Sequence, residues 1–193
     1  DTRELIDIEA RLRHMDELGL DVQVLYPTTF LHTTTSQPET ELALYRSYNR
    51  WMADRTEKSG GRLRWVAMPR VYSMDHVAEE LRFAKEHGAC GVFKRGVECG
   101  MRPASDPYFF PLYEEAERLD LPICIHSSNG DPGFTNSTDL GQLGSLYVLA
   151  AFNALASHGV PDKFPGLRWG FIEAGASWIP YQIKDLRAKH RRL

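Results

Sequence analysis

No long basic run, no CxxC pair and no apolar stretch of membrane-spanning length occurs in these 193 residues, and each absence removes a class of function. A formal charge of −3, with an isoelectric point near 6.2, leaves no electrostatic footprint for nucleic acid or an anionic membrane, so neither partner is expected. The longest apolar runs fall well below the roughly 20 residues that cross a bilayer. The N-terminus also lacks the layout of a secretion signal, and the expected compartment is the cytoplasm. Cysteine is scarce and odd in number: Cys90, Cys99 and Cys124 suggest neither a disulfide framework nor a structural zinc knuckle. Cys90 and Cys124 lie in or beside apolar strand candidates and read as buried reduced thiols. What is present is an ordinary globular composition, 42% apolar and 25% charged, enough for a substantial core.

The apolar pattern alternates between two periods. Residues 4–18 place Leu5, Ile8, Leu12, Met15 and Leu18 at helical spacing, with Gly19 as the stop. "DVQVLYPT" then reads as a short strand, and residues 38–61 as a long helix ending in glycines. Strand–helix pairs recur as "LRWVAMP" with "SMDHVAEELRFAKEHG", "CGVFKRG" with "PLYEEAERLD", "LPICIHSS" with "GQLGSLYVLAAFNALASHG", and "LRWGFIEAG" with "SWIPYQIKDLRAKHRRL". Pro111 suits a first helical turn, and Ser177 is the expected cap of the last helix. Five strands begin near residues 21, 63, 89, 121 and 167. Such alternation predicts parallel strands with crossover helices. Two architectures fit it equally: a doubly wound open sheet and part of a (β/α)8 barrel. Because the chain starts and ends on a helix, a barrel would lack one strand before Asp1 and two after Leu193.

In either architecture, side chains from different strands converge at the C-terminal strand ends. Those ends carry Tyr26 with His32 just beyond, Met68 and Arg70, Lys94 and Arg95, His126 with Ser127, Ser128 and Asn129, and Glu173 before Ala174 and Gly175. Burying such groups is costly without partners or a metal. A neutral imidazole closing a strand is a common ligand for zinc or another transition metal, and the turn "SSNGDPG" would open space above His126. The competing reading is a hydrogen-bonded core histidine. Glu173, the only acid in "LRWGFIEAGASW", ends the next strand and could share a site with His126, binding metal, orienting water or acting as a general base. Alternatively it pairs with a cation, Lys94 being the nearest candidate. Lys94 and Arg95 are otherwise candidates to hold a substrate carboxylate, with Tyr26 and Asn129 completing the substrate contacts. A carbamylated, metal-bridging Lys94 is a further option. His32 and His158 read as surface residues, and the cations Arg187, Lys189, His190, Arg191 and Arg192 first as a solvated helix end, second as a subunit contact.

The segments "MDELGLDVQVLYPT", "RWVAMPRV", "DPYFFPLYEEAERLDLPICIHSSN" and "FPGLRWGFIEAGASWIP" together resemble the second amidohydrolase family, the group that includes aminocarboxymuconate-semialdehyde and γ-resorcylate decarboxylases. The resemblance runs over nearly the whole chain. It implies α/β architecture as an incomplete (β/α)8 TIM barrel of about five strands and six helices, with residues 1–193 forming a single domain. It also implies a divalent metal, zinc first with Mn, Fe or Co as alternatives, a small carboxylated or aromatic substrate, and a homodimer. His126 matches the family's fifth-strand metal ligand. Glu173 stands where decarboxylase relatives carry a histidine, a departure that puts the same route of carbon–carbon cleavage in doubt.

Three functional readings follow. The first is a metal-dependent hydrolase or decarboxylase in which the ion polarises the substrate or acidifies a bound water, with His126 as ligand and Glu173 as acid/base. The second is a catalytically inactive, metal-free relative serving as a binding or assembly module, favoured by Glu173 and opposed by His126. A phosphate-handling barrel that uses "SSNGDPG" as an anion cradle rests on that turn alone.

Overall fold

The computed structural model describes residues 4–127 and 145–191. After helix α1 (Ile8–Glu17), the main elements are β1 (Gln23–Leu25), α2 (Pro38–Glu57), β2 (Leu63–Ala67), α3 (Val77–Glu86), β3 (Ala89–Arg95), α4 (Phe110–Arg118), β4 (Ile123–His126), α5 (Ser145–Ser157), α6 (Val160–Lys163), β5 (Trp169–Ile172) and α7 (Ile179–His190). Local chemistry accounts for several boundaries. Asp7 caps α1 by accepting the Ala10 N–H at 2.8 Å, which satisfies a donor the helix cannot pair internally. Proline occupies the first turn of α2 and of α4, where a missing N–H costs nothing. The expected Ser177 cap of α7 is not found: Trp178 takes the cap position in helical backbone geometry, with no side-chain cap bond. Pattern reading also missed α6 and a two-residue antiparallel ladder joining Val97–Glu98 to Arg102–Pro103. Elements this short leave no periodicity to read.

Every strand of the main sheet runs parallel, in the order β1-β2-β3-β4-β5. This order separates the two architectures. A doubly wound sheet reverses direction at a switch point, whereas here each strand adds beside its predecessor, as in a barrel wall. The fold is therefore α/β, a parallel five-stranded section of a (β/α)8 barrel.

The pleat sends alternate side chains to opposite faces. One face carries Trp65, Ala67, Val92, Ile123 and Ile125, packed into a core with Val77 and Leu81 of α3, Leu112 and Ala116 of α4, and Val148 and Ala151 of α5. On the other face, Val66, Met68, Phe93 and Cys124 form a second cluster with Tyr45 of α2, flanked by Tyr26 and Ile172. That second face ends at His126. Close approach holds the two layers in place: a Cβ on Gly96 would lie 1.9 Å from the Tyr147 carbonyl oxygen, so only glycine lets α5 seat against the end of β3. Among the described residues no helix is long and apolar enough to cross a membrane.

Candidate active site

Register fixes what stands at the strand ends. Arg95 of β3, His126 of β4 and Ile172 of β5 are successive partners across the sheet. Beyond that row the Ser127 N–H donates to the Ile172 carbonyl at 2.9 Å, which keeps the two strand ends together. Alternation alone would send Glu173, one residue past Ile172, to the opposite face. Instead Glu173 adopts a left-handed backbone with φ 57°, and its Oε2 lies 3.6 Å from His126 Nε2. Few non-glycine residues tolerate that conformation, and such strain is commonly held where it re-aims a functional side chain. The Trp178 indole N–H donates to the Gly175 carbonyl at 3.0 Å and anchors the far end of the turn.

His126 is 2% exposed, while the Glu173 side chain is 68% exposed. The imidazole is thus set into the wall and the carboxylate covers it from the solvent side. Nδ1 of His126 lies 2.8 Å from the Ser127 carbonyl oxygen. A carbonyl can only accept, so Nδ1 carries the proton, and in the neutral ring the lone pair sits on Nε2, facing Glu173. A metal-binding histidine has this arrangement, one nitrogen held by a backbone carbonyl and the other presented to the ion. Donors sharing one ion at bonds of about 2.1 Å stand roughly 3.0–3.4 Å apart, close to the observed separation. His126 thus fits as one ligand of a divalent ion, with the Glu173 carboxyl group within reach of the same space. Among the described residues no group of three or more His, Cys, Asp or Glu is arranged to hold a metal, so a full shell needs donors beyond His126.

Around the imidazole the walls are aromatic. The Tyr26 ring centroid lies 5.2 Å from that of His126 and the Phe93 centroid 6.0 Å. Burial, and then the neighbouring Cys124 and Cys90 thiols, push the Tyr26 phenol well above its usual range. Tyr26 therefore stays a neutral phenol, sharing a hydrogen bond with Cys124. Cys124 is buried and Cys90 half-buried, both as free thiols.

Other candidates fall elsewhere. Lys94 is fully buried, with Nζ 3.8 Å over the Phe109 ring and 3.9 Å from Glu98 Oε1. Its register partner is Ile125, on the helix-facing side, so it neither faces His126 nor pairs with Glu173. Burial lowers its pKa, with Glu98 opposing the shift. Arg95 shares the His126 row, but its donors are engaged by protein: Glu98, the Tyr45 hydroxyl and the carbonyls of Phe30, Leu31 and His32. A guanidinium so occupied has little left for a substrate carboxylate. Arg70, also buried, binds Glu39 at 2.8 Å. His158 is exposed, as expected. Ser128 and Asn129 lie outside the described residues. Of the buried acids that sequence reasoning missed, two bear on Arg95 and its surroundings. Glu98 anchors Arg95, and Glu41 accepts the Val71 and Tyr72 N–H groups at 3.0 and 2.9 Å. For Glu98 the signal was available: an acid three residues after one cation and four after another, inside an apolar stretch.

Comparison with known proteins bears on the same residues. The model of the Amidohydrolase family matches residues 2–193. A γ-resorcylate decarboxylase of Polaromonas sp. (strain JS666 / ATCC BAA-500) is 27% identical over 201 residues, covering 97% of this chain and 61% of the relative. The γ-resorcylate decarboxylase of Rhodococcus jostii (strain RHA1) is 28% identical over 185 residues, covering 85% of this chain and 55% of the relative. Both relatives are thus substantially longer than the matched chain. Among solved structures, the 5-carboxyvanillate decarboxylase of Novosphingobium aromaticivorans DSM 12444, with bound manganese and 3-methoxy-4-hydroxy-5-nitrobenzoic acid, superposes with a TM-score of 0.81 at 21% identity, covering 96% of this chain and 55% of that one.

Proposed function

The chain belongs to the amidohydrolase family, and we propose that it works there as a metal-dependent decarboxylase of small aromatic carboxylates. The observation that carries this reading is the His126–Glu173 pair, an imidazole with its tautomer set by Ser127 and a solvent-connected carboxylate 3.6 Å away. The decarboxylase relatives favour carboxylate removal over hydrolysis, and the manganese in the related structure favours manganese as the divalent ion ahead of zinc. When bound, the ion would supply positive charge that orients the substrate and stabilises negative charge developing on it.

His126 would contribute one ligand, its ring held by Ser127 so that Nε2 cannot turn away. Tyr26 and Phe93 would bound the aromatic ring of the substrate, which suits the apolar wall on which they stand. Glu173, set between the buried imidazole and solvent, would deliver a proton to the ring carbon that bears the carboxylate. The carbon–carbon bond then breaks, its electron pair returning to the ring and carbon dioxide leaving, and the carboxyl group of Glu173 is reprotonated from water. An acid in this position would take the proton transfer on itself. A homodimer in the cytoplasm suits the reading.

The test is turnover of γ-resorcylate to resorcinol by the full-length protein with manganese. The reading expects activity that chelator removes and that Glu173→Gln lowers by about 10²-fold or more, the range typical of a lost acid/base group. No turnover of any hydroxybenzoate, with no change in melting temperature on adding manganese, would leave a metal-free binding module as the better description.

A further inference from the structure

Arg95 was expected to touch substrate, yet its guanidinium is directed at the backbone of one loop. The single-turn 3-10 helix after β1 spans Thr28–Leu31. Arg95 donates from Nε to the Leu31 carbonyl at 3.0 Å and from Nη2 to the Phe30 carbonyl at 2.5 Å and the His32 carbonyl at 2.9 Å. Three consecutive carbonyls are therefore gathered by one side chain. Glu98 holds the clamp in turn, accepting from Arg95 Nη1 at 3.1 Å and from the Arg95 backbone N–H at 2.8 Å. The contact spans more than 60 residues of sequence and joins the end of β3, beside His126, to the end of β1, beside Tyr26.

What the clamp holds is an aromatic wall. Phe30 packs edge-on against Tyr45 and Tyr48, with ring centroids 5.2 and 5.6 Å apart. Phe30 and Leu31, with Tyr26 and Tyr48, pack against the cluster of Val66, Met68, Phe93 and Cys124, the face of the sheet that ends at His126. A loop that follows a strand of only three residues has few ladder bonds behind it. The charge-assisted bonds from Arg95 supply what the ladder does not.

We infer that Arg95 is a positioning residue for substrate recognition: by pinning the carbonyls of Phe30, Leu31 and His32 it sets the aromatic wall against which the ring of an aryl carboxylate packs. This inference rests on the function proposed above. Its role differs from that of His126 and Glu173, because the guanidinium acts on the loop and leaves the metal ligand and the proton donor in place. Binding of the ring should therefore depend on it more than bond cleavage does.

The experiment compares wild type, Arg95→Lys and Arg95→Met, in which the Glu98 carboxylate keeps Lys94 as a neighbour at 3.9 Å. For each, KM and kcat for γ-resorcylate, manganese affinity and amide hydrogen exchange are measured. Arg95→Met should raise KM about tenfold or more while kcat stays within about threefold. Exchange at residues 30–32 should accelerate, exchange at residues 123–126 and manganese affinity should hold, and Arg95→Lys should fall between the two. An unchanged KM overturns the inference, as does a loss in kcat and manganese affinity equal to the loss in KM, which would mark Arg95 as structural only. If wild type turns over no aryl carboxylate, the functional reading fails first and this role falls with it. A wild type that is active while the variant keeps its KM defeats the Arg95 assignment alone.

Discussion

Arg95 and His126 stand opposite each other in the register of β3 and β4, and the same row of the sheet gives them contrasting fates. The guanidinium is saturated by backbone carbonyls and Glu98. The imidazole spends one nitrogen on a backbone carbonyl and turns the other toward a carboxylate. Both side chains are almost wholly buried, so what separates them is hydrogen-bond geometry. A fork of five donors suits a loop that offers several carbonyls, while a ring with one donor and one lone pair suits an ion.

The left-handed backbone of Glu173 makes a prediction about stability that is independent of activity. A side chain at φ 57° carries a penalty of about 1 kcal/mol that glycine escapes. Glu173→Gly should therefore be more stable than Glu173→Ala by about that amount in denaturant unfolding, although both lack the carboxylate and both should lose turnover. Equal stability of the two variants would mean that the turn is not held as described.

Glu41 should make stability fall as pH rises. Burial pushes its pKa from 4.5 up to about 7, against the lowering effect of the Tyr72 and Val71 N–H groups. The folded protein therefore holds this proton more tightly than the unfolded chain. Its contribution is fully present below pH 4.5 and is lost as pH rises toward 7, with a total on the order of 3 kcal/mol. Glu41→Gln keeps an oxygen for the two backbone donors and cannot ionise. It should match wild type near pH 4.5 and exceed it near pH 8. Parallel stability curves for the two proteins across that interval would contradict the assignment.

Much of this was legible in the sequence, for identifiable reasons. His126 and Glu173 stand out because each is the lone titratable residue closing an apolar run, and a run of that kind in an α/β chain ends where strands deliver function. Strand order was not legible, since an open sheet and a barrel wall produce the same alternation of strand and helix. Lys94 and Arg95 show a second limit. Adjacent residues on a strand point to opposite faces, and only the pairing of Lys94 with Ile125 and of Arg95 with His126 tells which faces the site. Arg95 then meets partners 63 to 65 positions away, beyond any local pattern. Glu173 is instructive in the other direction. Simple alternation places it on the wrong face, and its backbone turn brings it back.

The central claim is that His126 holds a divalent ion beside the Glu173 proton donor, and manganese titration of the full-length protein tests it most directly. Titration calorimetry on wild type, His126→Ala and Glu173→Gln should show one site per chain in wild type. Affinity should fall by about 100-fold or more in His126→Ala, which loses a direct ligand, and stay within about threefold in Glu173→Gln, which removes only the proton donor. Manganese binding of equal strength in all three proteins would contradict the account.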